Sequence, residues 1–181
     1  MPRPVALTGT PGTGKSSVAA RLPPRWRAIE VGDLARRIGA ARGRGRSVEV
    51  DLVRMRRAFE WGALGSSYEV VVGHLAHLLP VRDVIVLRCH PLELERRLAG
   101  AHRGTARSRR ENAEAEATDV ILVEALRARR RVWEIDTTGR SVAAVARAVA
   151  RRLAARGRSR TGTVDWLADP AVTAHLLDRP R

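Results

Sequence analysis

Lysine is almost missing from this chain of 181 residues. Lysine and arginine together number 34, and only one of them is a lysine, Lys15; the rest are arginine. Cysteine is also reduced to one residue, Cys89, which excludes an intrachain disulfide and fits a reducing cytoplasm. Aromatic residues make up 3% of the chain. Trp26, Trp61, Trp133 and Trp166 are too widely scattered for a base-stacking platform and read as core or docking residues. No apolar run approaches the ~18 residues of a membrane span, so no membrane partner is expected. The chain enters an apolar run by Val5, so no signal peptide is expected. Acidic residues number only 19, and the net charge is +15. Such a surplus favours polyanionic partners, RNA above all. An Arg/Ala compositional bias with solvated arginine faces accounts for it equally well, and both readings stay open.

The solitary lysine lies in Gly9-Thr10-Pro11-Gly12-Thr13-Gly14-Lys15-Ser16, which satisfies every fixed position of G-x-x-x-x-G-K-[ST]. A phosphate-binding loop calls for a compact ammonium on a flexible stem that reaches between the β- and γ-phosphates. The flanks agree with that reading. Pro4 to Thr8 suits a buried strand, and Ser17 to Leu22 continues as a helix. The glycines let backbone N–H groups turn inward around phosphate oxygens, and the helix N-terminus adds positive potential. The Ser16 hydroxyl is placed to ligate Mg²⁺.

At this length one domain is the default. Further β-type runs occur at Ala28–Val31, Glu69–Val72, Val84–Leu87 and Val132–Ile135. Helical patterns cover about 15–22, 33–39, 49–60, 91–99, 110–130 and 140–155. This alternation predicts an α/β fold: a five-stranded parallel sheet with helices on both faces, and phosphate ligands at the carboxyl ends of its strands. Two basic stretches, 39–46 and 101–110, read as flaps carrying arginines over phosphates or as plain exposed loops. Residues 156–163 form a basic linker. The tail beyond it places Asp169 as an N-cap with Pro170 at the first helical position, so a short docked helix is expected there.

Thr8–Ser17, Val31-Gly-Asp-Leu-Ala35, Gly73-His-Leu-Ala-His-Leu-Leu-Pro80, Val86-Leu-Arg-Cys-His-Pro91 and Arg110-Glu-Asn-Ala-Glu-Ala-Glu116 resemble, in this order, one family. It is the adenylate kinase isoenzyme 6 family, also called coilin-interacting nuclear ATPase, in its archaeal form. The resemblance covers about residues 4–153. It implies a P-loop NTPase of the nucleoside monophosphate (NMP) kinase type over 1–155, with an NMP-binding region at about 30–53 and a lid at about 102–112. Residues 156–181 are left as linker and tail. It implies transfer of the ATP γ-phosphoryl group to AMP or a related monophosphate, with some ATPase activity, and ATP and Mg²⁺ as cofactors. It further implies a role in late maturation of the small ribosomal subunit and its rRNA, through transient contact with a small-subunit ribosomal protein and pre-ribosomal RNA.

Carried across position by position, the resemblance puts ATP on Gly12, Thr13, Gly14, Lys15, Ser16 and Ser17, with Arg103 over its phosphates. It puts the monophosphate on Asp33 and Arg37, with Asp33 capping the first helix of its region, and the ATPase step on His74. Two positions depart from the family pattern. Val72 stands at the end of the third strand in sheet-building order, where the family has a carboxylate that positions the Mg²⁺ hydration shell or the attacking water. Asp33 is a conceivable substitute and Glu69, at the far end of that strand, a poor one. In the lid, Arg103-Gly104 is followed by Thr105 in place of an aromatic, with Arg107 or Arg109 to replace a lysine charge. Phosphoryl transfer asks for in-line positioning and charge neutralisation. Lys15, Arg103 and Arg88, the last at the end of a strand, are the candidate cations. His74 and His77 form H-x-x-H, but no further ligand lies at zinc-site spacing, and His77 reads as structural. Glu111, Glu114 and Glu116 read as an exposed helix face paired with arginines. The alternative function is a nucleotide-binding ribosome assembly factor with weak or lost kinase activity.

Overall fold

The computed structural model describes residues 4–43, 49–60, 68–128, 130–155 and 157–178. Five strands form one parallel sheet: β1 (Val5–Thr8), β2 (Ala28–Glu30), β5 (Val70–Val72), β6 (Asp83–Arg88) and β7 (Arg131–Asp136). Their spatial order is β2-β5-β1-β6-β7, and each neighbouring pair runs parallel. The short β3 (Ala41–Arg42) and β4 (Glu49–Val50) form a separate antiparallel ribbon that the sequence pattern did not reveal. The flap predicted at 39–46 lies partly in this ribbon; positions 44–48 fall outside the described residues.

Alternate side chains of the central strands feed two cores, as the two-residue period of a strand requires. Leu7, Val70, Val72 and Ile85 pack on one face with Val18 of α1 (Lys15–Ala19) and with Val145 and Val149 of α7 (Val142–Ala154). Ala6, Val71, Val84 and Val86 pack on the other. They meet Leu34 of α2 (Val31–Arg37), Met55 of α3 (Leu52–Glu60) and Leu122 of α6 (Val120–Arg127). Helices therefore cover both faces, as expected. A third, small cluster joins Cys89 to Leu94 and Leu98 of α4 (Pro91–Gly100). Burial raises the Cys89 thiol to about 11, which leaves it inert.

Several expectations change. The single helix read over 110–130 is two, α5 (Ala106–Ala117) and α6, because Asp119 adopts φ 58° and breaks the run. The flap read over 101–110 shrinks accordingly, since α5 already starts at Ala106. Thr105 caps it by accepting from Ser108 N at 3.1 Å, and Arg107–Glu111 and Arg110–Glu114 pairs staple its outer face. The linker is not free. Arg160 N donates to Val132 O and Arg160 O accepts from Glu134 N, both at 3.0 Å, so this stretch pairs with the exposed edge of β7. Trp133 Nε1 donates to Arg158 O at 2.7 Å beside it. The tail helix is present as α8 (Pro170–Leu177), with the Asp169 carboxylate accepting from Ala171 N at 2.8 Å. It docks on α4 and α5: Arg110 donates to His175 O at 2.7 Å, and His175 lies 2.9 Å from the Glu95 carboxylate. Val172 is fully buried there.

Candidate functional site

The loop between β1 and α1 turns sharply at three glycines. Gly9, at φ 139°, passes so close to Leu87 that a Cβ would stand 2.3 Å from its carbonyl oxygen. Gly12 and Gly14 hold φ 97° and 89°, conformations that other residues rarely adopt. Thr13 turns its hydroxyl inward to Thr10 O at 2.9 Å, so it shapes the loop without facing the cleft. Lys15 is buried, and its Nζ donates to Gly9 O at 2.7 Å and Thr10 O at 2.9 Å. Burial lowers its pKa to about 8, against the opposing pull of Glu30 and Glu116, with Arg103 adding to the fall.

A cleft of about 500 Å³ opens at the loop, lined by Gly12, Gly14, Lys15, Ser16 and Ser17 and by Arg103. These predicted residues come together. A second cleft of about 540 Å³ opens over the start of α2 and is lined by Asp33, Arg36 and Val72 among others. Glu30, Gly73 and His74 line both clefts and mark their junction. His74 is held below the usual histidine value, first by desolvation and then by the charges of Lys15 and His77. His77 is structural as expected: its ring nitrogens meet Thr8 Oγ1 at 3.1 Å and the Glu124 carboxylate at 2.9 Å. Among the described residues no group of three or more His, Cys, Asp and Glu is placed to hold a metal. A hard cation shared with nucleotide phosphates needs only one or two protein oxygens, and Ser16 and Glu30 offer them here.

Four expectations fail. Arg88 does not reach the cleft. It is fully buried beneath the loop, with Glu116 Oε1 at 2.7 Å, Glu134 Oε1 at 2.5 Å and Asp119 also bonded to its guanidinium. Three carboxylates consume its donors, so it is a structural hub. Arg37 points elsewhere, donating to Tyr68 Oη at 2.5 Å and lying over that ring, while Arg36 faces the cleft. Asp33 does not cap α2: the N-cap position is Glu30, and Asp33 pairs with Arg36 at 2.7 Å. Glu116 is not on an exposed face. It is buried and accepts from Thr10 Oγ1 at 2.5 Å and from Cys89 N at 3.1 Å, which ties the loop to Arg88. Trp166 Nε1 approaches the same carboxylate at 3.4 Å and its ring meets His90 edge-on, so it is a docking residue as expected. Trp133 is core; Trp61 lies outside the described residues.

Two residues escaped the sequence reading. Arg97 lines the loop cleft while its guanidinium donates to Thr137 O at 2.7 Å. Its position on the helix after β6 carried no motif. Glu30 lies inside the predicted strand Ala28–Val31 at the start of the expected NMP-binding region, a position that carries no motif of its own.

Sheet order, phosphate loop and cleft position together define a P-loop kinase fold. Solved structures agree at that level. The chain superposes on a shikimate kinase from Acinetobacter baumannii with a TM-score of 0.51 and 15% identity, covering 85% of this chain and 94% of that one. A gluconokinase from Sinorhizobium meliloti gives 0.50 and 19%, over 84% and 92%. Residues 5–119 match the model of a family described as an AAA domain. More specifically, the chain is 42% identical over 173 residues to an Archaeoglobus fulgidus protein named "Putative adenylate kinase", covering 91% of this chain and 92% of that one. A Pyrococcus furiosus protein of the same name is 37% identical over 165 residues, covering 90% of each chain. The chain belongs to this archaeal adenylate kinase-like family. No helix among its described residues is long and apolar enough to cross a membrane.

Proposed function

We propose that the protein is an ATP:NMP phosphotransferase of adenylate kinase type, moving the γ-phosphoryl group of ATP to AMP or a related monophosphate. The observation that carries this reading is the pair of clefts that meet at Glu30, Gly73 and His74, one of them floored by the phosphate loop. A donor nucleotide on the loop and an acceptor over α2 then face each other across that junction, and positioning of this kind supplies much of the catalysis. The names of the archaeal relatives support the same assignment.

In this reading the loop N–H groups and Lys15 hold the β- and γ-phosphates, and Lys15 leaves its two carbonyl partners to do so. Arg103 meets the developing charge, and Arg97, held by Glu93 and Thr137, lines the same cleft. Ser16 would hold Mg²⁺, which would neutralise phosphate charge. Asp33 and Arg36, within an NMP-binding region of about 30–53, meet the acceptor. The lid role falls to about 102–112, of which 102–105 belongs to the connection between α4 and α5 and the rest to the start of α5. Closure there excludes water; where it is incomplete, water takes the phosphoryl group and the enzyme shows ATPase activity. The test is a coupled assay with ATP and each monophosphate. Wild type forms ADP from ATP plus AMP, and Lys15→Met abolishes it. If wild type phosphorylates no monophosphate, the kinase assignment fails.

A second output, as a factor in small-subunit maturation, is favoured by one surface. Arg151, Arg158 and Arg160 are exposed along the β7 edge, with Arg152 half-buried beside them over the Trp133 ring. None of the four has an ion-pair partner among the described residues. That surface suits pre-ribosomal RNA or an RNA-bound small-subunit ribosomal protein. Co-purification with such a protein, released on ATP hydrolysis, is the expected result. Its absence removes this second role and leaves the kinase reading intact.

A further inference from the structure

The end of β5 carries Val72 where a carboxylate is expected, and the valine is buried in the sheet core. Its lateral neighbour changes the meaning of that loss. β2 and β5 pair in the register Ala28↔Val70, Ile29↔Val71, Glu30↔Val72. Registered partners on adjacent strands direct their side chains to the same face of the sheet. Packing agrees: Ala28, Val70 and Val72 share the cluster that contains Val18 of α1, whereas Ile29 and Val71 belong to the opposite one. Glu30 therefore projects on the α1 side, at the carboxyl end of the sheet, one strand away from the empty position. Neighbouring strands lie ~4.8 Å apart, and a glutamate carries its carboxylate one methylene further than an aspartate would. That extra reach takes Glu30 back towards the loop. Glu30 lines the loop cleft together with Lys15 and Ser16.

Three other carboxylates are committed elsewhere. Asp33 pairs with Arg36 and lines only the second cleft. Glu69 is held by Arg27 at the opposite end of β5, at 2.9 Å. Glu116 lies under the loop in the Arg88 network. Among the described residues, Glu30 is the one acidic residue lining the loop cleft.

We infer that Glu30 takes over, from the neighbouring strand, the role vacated at Val72: it positions the hydrated Mg²⁺ of the bound nucleotide beside Ser16. Oxygen donors from one hydroxyl and one carboxylate, completed by phosphates and water, match what Mg²⁺ prefers. Val72 then marks a relocated acid and no loss of metal handling.

The inference rests on the loop cleft being the ATP site, and binding measurements separate it from the kinase reading. ATP affinity is measured by calorimetry with Mg²⁺ and with EDTA, for wild type, Glu30→Gln and the double variant Glu30→Gln/Val72→Asp. Mn²⁺ in place of Mg²⁺ adds a direct spectroscopic signal from the bound ion. Expected is a gain in wild-type affinity on adding Mg²⁺ that Glu30→Gln loses by ~10–100-fold. Metal-free ATP binding stays the same or tightens, because a negative charge has been removed. The double variant regains part of the Mg²⁺ effect and of the Mn²⁺ signal. Glu30→Gln with a wild-type Mg²⁺ effect overturns the inference. Wild type that binds Mg²⁺·ATP through Glu30 but phosphorylates no monophosphate leaves the inference standing and refutes the kinase. Wild type that binds no ATP refutes both.

Discussion

The state of Lys15 makes ATP affinity depend on pH in a way that can be worked out. In the nucleotide-free protein its ammonium is buried against two loop carbonyls, and its pKa falls from 10.5 to about 8. Polyphosphate brings several negative charges to that ammonium and returns its pKa towards the ordinary lysine value. Between those limits binding must take up a proton. At about pH 9.5 only about one free molecule in thirty carries the charge, so ATP affinity falls roughly thirtyfold from its neutral value, about 2 kcal/mol at 1.36 kcal/mol per unit. Stability of the free protein moves in the opposite direction. The unfolded chain keeps the lysine proton up to about 10.5, the folded one only up to about 8, so the unfolded state binds more protons in that window. The Lys15 contribution to stability therefore rises with pH through it. Titration calorimetry in buffers of different ionisation enthalpy reads the proton directly. Expected is uptake approaching one proton per ATP near about pH 9, and none for Lys15→Met. A flat affinity across this range, without proton uptake, refutes the reasoning.

Two further outcomes follow from the packing. Arg88→Met leaves Glu116 and Glu134 buried without their cation, a loss of ~3–5 kcal/mol. At this chain length that lowers Tm by roughly 6–20 °C, and an unchanged calorimetric Tm would falsify the hub. Asp169→Ala removes both the cap of α8 and the partner of His90, at 3.0 Å. Hydrogen exchange should then speed at the Ala171 and Val172 amides while β1 stays protected; equal rates in the variant and wild type rule out the docked tail.

What could be read from the chain was local. The phosphate loop is a contiguous pattern whose glycine spacing dictates its own backbone, so Gly12, Gly14, Lys15, Ser16 and Ser17 line one cleft while Thr13 turns inward. The strands also announced themselves, because runs such as Val84–Leu87 must be buried on both faces. The misreadings share a different cause. A helix step turns ~100° per residue, so choosing between Arg36 and Arg37 requires knowing which side of α2 meets the cleft. The acidic run of α5 looked uniform, yet Glu111 and Glu114 are outside and Glu116 is inside, a division set by the loop and Arg88 packed against it. Arg88 itself is a strand-end arginine like many that face phosphate, and only its three carboxylate neighbours reveal its task.

The amino-acid sequence by itself therefore determined that this protein has a phosphate loop, a single lysine within it and a parallel α/β core. Each follows from residues close together in the chain. Tertiary structure alone decided which carboxylate serves the site. Glu30 and Val72 are remote in sequence and adjacent in space because β2 and β5 pair in one register. Strand order and register arise from the packing of whole faces of the sheet, which no local pattern encodes. An acid missing from one strand can for that reason be replaced from the next without any sign of it in the motif.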